Sequence, residues 1–252
     1  GNSNAAFAIN AATGTITVNN SAALNYETSP QFTLVIQALD NGTPPLSATS
    51  NAFINLNNVN EAPLMSAQTF SIDENATNGT VVGTMTATNP DQGQSIAYSI
   101  ISGNTGSAFT INSASGIIAV NNTSALNFET TPVYTLVIQA IDNGTPALSV
   151  SANAVINLNN INEAPLMSAQ TFAINENAAF GTVVGTMAAT NPDQGQTITY
   201  SIQSGNTGSA FAINAASGAI TVNNPSALNF ETIPVFTLVV QALDNGIPAL
   251  SV

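Results

Sequence analysis

Alternation of apolar and polar residues along the chain predicts β-strands, and no stretch has helical periodicity. In the clearest case, the run VYTLVIQAID at 133–142, Tyr134, Leu136, Ile138 and Ala140 share one face. Turn dipeptides that contain glycine separate such runs. Residues 63–164 accommodate seven predicted strands, at about 66–73, 80–88, 95–101, 107–112, 116–121, 132–141 and 149–158. Seven short strands at this spacing predict an all-β, Greek-key sandwich of immunoglobulin-like topology.

The strand pattern recurs with a period of 102 residues. The segments GNSNAAFAIN at 1, GNTGSAFTIN at 103 and GNTGSAFAIN at 205 mark this period. Residues 63–150 and 165–252 are identical at 70 of 88 aligned positions without a gap, so the two segments are copies of one repeat. A period of this length suits one small domain per repeat and is too long for a solenoid coil.

Three tandem domains are therefore predicted. Residues 1–62 form the C-terminal part of a repeat, residues 63–164 a complete repeat, and residues 165–252 a repeat that lacks its last strand. Because both ends of the chain fall inside repeats, we expect the sequence to be a section of a longer array. Sandwiches built from strands of about 7–10 residues and arranged in tandem would form a rod of roughly 100 Å.

The charge of the chain limits its partners. All 13 charged side chains are Asp or Glu, and Lys, Arg and His are absent. Nucleic acid and anionic membrane surfaces are excluded as partners, because binding to either requires basic residues. No apolar run approaches the roughly 20 residues that span a bilayer, so membrane insertion is not expected. The carboxylates have no side-chain cation to pair with, which leaves a mobile cation as their candidate counter-ion.

The acidic residues follow the repeat. Twelve of the 13 occupy five positions that recur every 102 residues, and only Asp73 has no counterpart, because Asn175 stands there. Each acid lies at a predicted strand end or turn, and none lies in the middle of a strand face, where a surface charge would favour solubility. Scattered, solvated charges do not explain this placement. In the middle of the array the acids are Glu61, Asp73, Glu74, Asp91, Glu129 and Asp142.

The sequence around these positions resembles the cadherin repeat. The motifs that carry the resemblance follow one another in that family's order: DENA (73–76), NPDQG (89–93), LNFE (126–129), AIDNGTPALS (140–149) and NNINEAP (159–165). The linker is similar to the VNEAP form found in bacterial extracellular cadherin-like arrays of adhesins and filaments. The resemblance covers the whole chain, and it implies seven-stranded sandwiches with calcium held at each junction between successive repeats.

The resemblance also implies the calcium ligands. At the junction near 57–63 they are Glu27, Asn58, Asn60, Glu61, Asp91 and Asp142. At the junction near 159–165 they are Glu74, Glu129, Asn160, Asn162, Glu163, Asp193 and Asp244. Weaker candidates are Asn25, Asn89, Asn127, Asn191, Glu176 and Glu231. Independently of the family, calcium prefers six to eight oxygen ligands, which carboxylates, amides and backbone carbonyls supply.

Several positions depart from the family pattern. Asn89 and Asn191 stand where the family has the first Asp of an Asp-x-Asp turn, and Asn25 and Asn127 replace an Asp two residues before a glutamate. Val59 stands at a linker position that is Asn in the family. An amide offers an oxygen but no charge, so we expect weaker sites that hold two calcium ions per junction.

These patterns predict a structural section of a calcium-rigidified extracellular fibre or adhesin stalk. Extracellular calcium sites work at about 10⁻⁴–10⁻³ M, so an extracellular or cell-surface location is expected. Neighbouring copies or repeats of the same array are the expected partners. The alternative is an adhesive binding module that recognises glycans or another copy of itself. An enzyme is not expected, because His, Cys, Lys and Arg are absent and the acids recur at every junction.

Overall fold

Short β-strands make up nearly all of the regular secondary structure. The structure is a computed structural model and describes residues 1–252. The helices are 3₁₀ turns of three residues each: Ser3–Ala5, Ser21–Ala23, Thr105–Ser107, Thr123–Ala125, Thr207–Ser209 and Pro225–Ala227. The predicted all-β fold is confirmed.

The strands follow the 102-residue period. Residues 1–62 contain β1 (Phe7–Ile9), β2 (Ile16–Val18), β3 (Gln31–Leu39) and β4 (Ser47–Asn55). Residues 63–164 contain β5 (Leu64–Met65), β6 (Gln68–Asp73), β7 (Val81–Thr84), β8 (Ala87–Thr88), β9 (Ile96–Ser102), β10 (Phe109–Ile111), β11 (Ile117–Val120), β12 (Val133–Asp142) and β13 (Ser149–Asn159). Residues 165–252 contain β14 (Leu166–Met167), β15 (Val183–Thr186), β16 (Ala189–Thr190), β17 (Ile198–Ser204), β18 (Phe211–Ile213), β19 (Ala219–Val222) and β20 (Val239–Asp244).

The chain groups into two compact units. The first comprises Gly1–Phe70, Thr77–Ala125 and Tyr134–Asn157. The second comprises Ser71–Ala76, Leu126–Val133 and Leu158–Val252. Each candidate site described below lies within a single unit.

The complete repeat has the two-sheet organisation of a sandwich. One sheet has the strand order β10-β11-β7, the other has the order β6-β13-β12-β9, and β5 pairs with β8. The ring of Phe109 on β10 meets the ring of Tyr134 on β12 edge to face, with centroids 5.1 Å apart. Because these strands belong to different sheets, the aromatic contact shows that the sheets face each other across the core.

Strand β12 places its apolar residues as the alternation predicted. Tyr134, Leu136, Ile138 and Ala140 are all buried, whereas Val133 at the start of the strand is 48% exposed. Strand β12 pairs antiparallel with β9, from Val137 opposite Ser102 to Asp142 opposite Ile96. Asp142 is the last residue of β12, so it lies at a strand end, as predicted for the repeating acids.

The first two predicted strands of the complete repeat are each interrupted. The predicted strand 66–73 appears as β5 and β6, and the predicted strand 80–88 appears as β7 and β8. Between β7 and β8, fully buried Met85 donates its N–H to the carbonyl of Gly116, after which β8 turns to pair with β5. The chain thus changes sheets within one apolar run, a change that alternation alone does not reveal.

The flanking repeats retain parts of the same arrangement. In residues 1–62, β1 pairs with β2 and β3 with β4. In residues 165–252 the sheets are β15-β19-β18, β17-β20 and β14-β16. Residues 170–175 correspond to β6 by the 102-residue period but form no strand, because the chain contains only Ser251 and Val252 of the strand that pairs with β6 in the complete repeat. The edge-to-face pair recurs as Phe7–Phe32 and Phe211–Phe236.

Candidate metal centres

A cluster of three acids lies in the first unit. Glu27, Glu61 and Asp91 each place one carboxylate oxygen within 4.8 Å of the others. Glu27 lies just before β3, Glu61 follows β4, and Asp91 lies in the loop between β8 and β9. Asp91 is only 2% exposed, and the two glutamates are half-buried. We call this set the first carboxylate cluster.

A second cluster lies in the second unit. Glu74, Glu129 and Glu163 also place one oxygen each within 4.8 Å of one another. Glu129 and Glu163 follow Glu27 and Glu61 by 102 residues, so two of the three positions recur between the clusters. Glu74 follows β6 and is 3% exposed. We call this set the second carboxylate cluster.

Backbone N–H groups orient the most buried acids. Oε2 of Glu74 accepts a hydrogen bond from the N–H of Phe128 at 2.6 Å, and Oε1 accepts from Ile161 at 2.8 Å. Both oxygens are thereby fixed between the LNFE motif and the linker. Asp91 plays a related role in the first unit, where its Oδ2 accepts from the N–H of Glu61 at 2.8 Å. These bonds draw the linker residues toward the carboxylates.

Other carboxylate oxygens in the clusters are buried without a hydrogen-bond partner. They comprise both oxygens of Glu27 and of Glu129, and Oε2 of Glu61 and of Glu163. Oδ1 of Asp193, beside the second cluster, is in the same condition. Buried charges are normally paired, hydrogen-bonded or bound to metal, and this chain has no Lys, Arg or His to pair with them. A cation at these oxygens would supply the partner that the chain itself does not provide.

Burial and the charges of neighbouring acids raise the pKa of three clustered glutamates, Glu61, Glu129 and Glu163. Burial, followed by the charges of Glu74, Glu129 and Asp193, raises the pKa of Glu163 from its ordinary value of 4.5 to about 7. Burial is also the main cause that raises the pKa of Glu129. In the first cluster, burial and then the charge of Glu27 raise the pKa of Glu61. A bound cation would reverse these effects, since it favours the ionised carboxylates.

The donor atoms fit calcium. Each cluster offers only oxygen ligands, without a thiolate or imidazole, and such hard donors suit Ca²⁺ or Mg²⁺ and not Zn²⁺ or Cu²⁺. Three carboxylates supply several oxygens, and backbone carbonyls and water would complete the shell of a large, flexible ion such as calcium. Mg²⁺ fits less well, because it demands near-octahedral geometry and keeps most of its water.

The predicted ligands Asp142 and Asp244 are not members of the three-acid clusters. Oδ1 of Asp142 accepts from the N–H groups of Gly144 and Leu148, and its Oδ2 accepts from Nδ2 of Asn60 at 3.1 Å. Burial opposes ionisation of Asp142, but these hydrogen bonds outweigh it and lower the pKa. Asp244 has the equivalent bonds, including one from Nδ2 of Asn162 at 3.1 Å. Both carboxylates are therefore held ionised by donors of the chain.

The other linker asparagines differ between the two junctions. Nδ2 of Asn58 donates to Oδ1 of Asp91 at 3.0 Å. The corresponding oxygen of the second unit, Oδ1 of Asp193, is buried without a partner, and Asn160 is exposed. Oδ2 of Asp193 accepts from the N–H of Glu163 at 2.8 Å. The second junction thus has one more free carboxylate oxygen than the first.

The amides among the weaker candidates use their oxygens in local turns. Oδ1 of Asn25 accepts from the N–H of Thr28, and Oδ1 of Asn127 accepts from the N–H of Thr130. Asn89 accepts from the N–H of Asp91 in the same way. Asn191 repeats this bond with Asp193.

The two acids among the weaker candidates lie outside both clusters. Oε2 of Glu176 accepts from the N–H of Phe230 at 2.9 Å, as Glu74 does from Phe128. Glu231 is exposed. The structure therefore does not gather these acids into a third group of three carboxylates.

Sequence reasoning missed the role of Gln94 and Gln196. Nε2 of Gln94 donates to Oδ1 of Asn60 at 2.6 Å, and Gln196 makes the same bond to Asn162. The available signal was the recurrence of NPDQGQ at 89–94 and 191–196, whose last residue had no assigned role.

Comparison with known proteins identifies the family. The family model of the cadherin domain matches residues 1–57, 68–159 and 170–252, so the chain belongs to the cadherin family. The Fat-like cadherin-related tumor suppressor homolog of Drosophila melanogaster is 36% identical over 252 residues, and Protocadherin Fat 1 of Homo sapiens is 34% identical over 253 residues. Each match covers 96% of this chain but 5% of the relative, so the chain spans about one twentieth of their length.

Solved structures show the same fold. A crystal structure of mouse cadherin-23 EC22-24 has a TM-score of 0.70 and 30% sequence identity, and the match covers 94% of this chain and 76% of that one. The Protocadherin gammaB7 EC3-6 cis-dimer structure has a TM-score of 0.67 and 25% identity, and that match covers 98% and 63% of the two chains. Tandem cadherin repeats built as β-sandwiches are therefore confirmed for this chain.

Membership of the family bears on three further predictions and confirms two of them. Cadherins are adhesion receptors and not enzymes, so the prediction that this chain is not an enzyme is confirmed. The chain is homologous to cadherin extracellular domains, which confirms the predicted extracellular or cell-surface location. Cadherin domains as a class bind calcium at the linkers between domains. None of the helices in the chain is long and apolar enough to cross a membrane.

Proposed function

We propose that this chain is a structural section of a calcium-rigidified extracellular array. The observation that carries the proposal is the pair of buried carboxylate clusters whose oxygens have no partner, in a sequence without any basic side chain. Glu61 belongs to the first repeat and Asp91 to the second, so a cation in the first cluster would bind two successive repeats together. Glu163 and Asp193 relate the second and third repeats in the same way.

The role of the ion is electrostatic and mechanical. Without it, each cluster holds like charges within a few ångströms, and their repulsion loosens the linker that carries Glu61 or Glu163. Calcium would neutralise the carboxylates and fix several ligands from different loops at once. We propose two ions per junction, held by Glu27, Asn58, Glu61 and Asp91 at the first junction and by Glu74, Glu129, Asn160, Glu163 and Asp193 at the second. The other predicted ligands, Asn60 with Asp142 and Asn162 with Asp244, would hold the linkers through hydrogen bonds instead. The predicted domains 1–62, 63–164 and 165–252 would then form a stiff rod.

Small-angle X-ray scattering of the 252-residue chain tests this proposal. We expect the maximum dimension in 5 mM calcium chloride to be about 100 Å and well defined, and the scattering in chelator to be that of a flexible chain of domains. Magnesium chloride at the same ionic strength is the control for screening. A chain that scatters identically in calcium and in chelator would contradict the mechanical role.

A second candidate function is adhesion to neighbouring copies. The outer face of β3 and β4, which carries Val35 and Phe53 opposite the buried Phe32 and Leu34, has no charged side chain along either strand. Two copies of an acidic chain would meet there without placing carboxylates opposite each other. The similar Protocadherin gammaB7 EC3-6 structure is a cis-dimer, which supports self-association as a second candidate for this chain.

Sedimentation of the chain at increasing concentration tests this second candidate. We expect association in calcium that Phe53→Ser weakens, with Thr49→Ser on the same strand as the control. A monomer at all concentrations up to about 1 mM would contradict it.

We propose a bacterial type of array from the linkers alone. Both linkers end in Asn-Glu-Ala-Pro, at 60–63 and 162–165, which is the form on which the resemblance rests. The gene tests this assignment directly: a continuous bacterial reading frame is expected, and a gene interrupted by spliceosomal introns would contradict it.

A further inference from the structure

A network of neutral amides lies beside the first carboxylate cluster. Oδ1 of Asn60 accepts from Nε2 of Gln94 at 2.6 Å, and Oε1 of Gln94 accepts from Nδ2 of Asn89 at 3.2 Å. Nδ2 of Asn60 donates to Oδ2 of Asp142 at 3.1 Å and to the carbonyl of Pro146 at 2.9 Å. We call Asn60, Asn89 and Gln94 the first amide cluster.

The network recurs in the second unit. Gln196 donates to Oδ1 of Asn162 at 2.6 Å and accepts from Asn191 at 3.1 Å. Asn162 donates to Oδ2 of Asp244 at 3.1 Å and to the carbonyl of Pro248 at 2.9 Å. Asn162, Asn191 and Gln196 form the second amide cluster. Two junctions therefore have the same set of bonds, with distances that agree within 0.1 Å.

A glycine accommodates the linker amide at each junction. A Cβ atom on Gly144 would lie 1.9 Å from Oδ1 of Asn60, and one on Gly246 would lie 1.8 Å from Oδ1 of Asn162. Neither position allows a side chain unless the asparagine moves. The loop after Asp142 and Asp244 is thus shaped around the amide, which makes the network a built feature of the fold and not a chance surface contact.

We propose that these amide clusters take the place of a cation at one side of each junction. The carboxylate clusters have buried oxygens without partners, whereas each amide oxygen named here already accepts an N–H donor. The negative charge of Asp142 is met by Asn60, Gly144 and Leu148, so it needs no ion. Each junction then has a carboxylate cluster that requires calcium and an amide cluster that is stable without it.

Gln94 and Gln196 are the positioning residues of this arrangement. Each uses its N–H group on the linker asparagine and its oxygen on the asparagine of the preceding turn. Glutamine can bridge two asparagines because its amide carries both a donor and an acceptor. A carboxylate at the same position would lose the donor to Asn162 and add a charge beside Asp244, which would convert the site into one that attracts a cation.

Hydrogen exchange in chelator tests whether the second amide cluster holds the linker without a metal ion. Gln196→Ala removes both bonds of the glutamine, and we expect the N–H groups of residues 160–164 to exchange about tenfold faster than in the unmodified chain. Gly246→Ala should have a similar effect, since it displaces Asn162. Gln203→Ala, at an exposed glutamine on β17, is the matched control. Exchange in the Gln196→Ala and Gly246→Ala chains no faster than in the control would overturn the proposal.

Calcium stoichiometry tests whether the amides take the place of a cation. The double variant Asn191→Asp, Gln196→Glu places two carboxylates where the amides lie, and we expect it to bind about one more calcium ion than the unmodified chain. If the unmodified chain binds calcium and the double variant binds no additional ion, the amides do not occupy a cation position. The proposal partly rests on the proposed calcium function, but the exchange measurement contains no calcium, so the two can fail separately.

Discussion

The backbone N–H of Glu163 donates to Oδ2 of Asp193 at 2.8 Å, while Oδ1 of the same aspartate is buried without a partner. The linker is thus attached to the next repeat through one oxygen of Asp193, and the other oxygen is available to a cation. The equivalent oxygen in the first unit is met by Nδ2 of Asn58. We therefore expect the second junction to bind calcium more tightly than the first.

The first prediction concerns the sign of a charge-removing substitution. Glu129→Gln removes one carboxylate from the second cluster, so it should weaken calcium binding there by about tenfold or more. Loss of a residue that only supports a metal ligand already costs about 10–100-fold, and loss of a ligand should cost at least as much. In chelator the same substitution should raise the unfolding temperature, because it relieves repulsion among Glu74, Glu129 and Glu163. Melting curves in calcium and in chelator measure both effects.

Glu231→Gln is the matched control for this substitution. Glu231 holds the position equivalent to Glu129 one repeat later, but it is exposed and lies outside both clusters. It should change neither curve appreciably. If Glu129→Gln destabilises the chain to the same degree in both conditions, the effect is one of packing and the electrostatic interpretation is wrong.

The second prediction concerns pH in the absence of calcium. Because the pKa of Glu163 is raised from 4.5 to about 7 in the folded chain, the folded state binds a proton more tightly than the unfolded state. The free energy of unfolding should therefore fall as the pH rises from about 4.5 to about 7. Thermal melts in chelator at pH 5, 6 and 7.5 measure this slope, and Glu163→Gln should reduce it.

Calcium should reverse that pH dependence. The ion binds the ionised carboxylates, so protons compete with it and stability in calcium should rise with pH over the same range. Identical slopes in calcium and in chelator would show that the glutamates of the clusters are not ligands.

The third prediction concerns the core of the complete repeat. Leu136→Ala on β12 should cost about 2–5 kcal/mol in the free energy of unfolding, because Leu136 is fully buried between the sheets. Val133→Ala on the same strand should cost far less, since Val133 is 48% exposed. Denaturant unfolding in calcium compares the two, and equal costs would contradict the assigned faces of β12.

The fourth prediction concerns specificity among divalent ions. Calcium at 100 times its dissociation constant should stabilise the chain by about 2.7 kcal/mol per site. Magnesium at the same concentration should stabilise it much less, because the flexible oxygen clusters suit the larger ion. Equal stabilisation by both ions would indicate general charge screening.

The sequence was informative wherever a physical period governed the residues. Alternation placed Tyr134, Leu136 and Ile138 in the core, because side chains of a strand point to opposite faces in turn. The acids that recur every 102 residues include every member of both carboxylate clusters. Buried carboxylates without basic partners need another source of positive charge, which is why their recurrence indicated a metal site.

Features that depend on tertiary hydrogen bonds were not predictable in this way. The strand predicted over 80–88 is divided at Met85 because its second half pairs with β5 and not with β11, and alternation does not specify which strand a segment pairs with. The bridging role of Gln94 depends on the separation of Asn60 and Asn89 in space. Family resemblance placed Asp142 with the other acids, but its separate network of donors appears only in the structure.

Equilibrium dialysis of calcium against the 252-residue chain measures directly whether the two carboxylate clusters hold calcium, with the double variant Glu27→Gln, Glu129→Gln as its comparison. One carboxylate is then missing from each cluster, while the acids held by backbone N–H groups remain. We expect the unmodified chain to bind calcium at both junctions with dissociation constants of about 1 mM or lower, and the variant to lose most of this binding. A chain that binds no calcium at 10 mM, or a double variant that binds it equally well, would show that the clusters are not calcium sites.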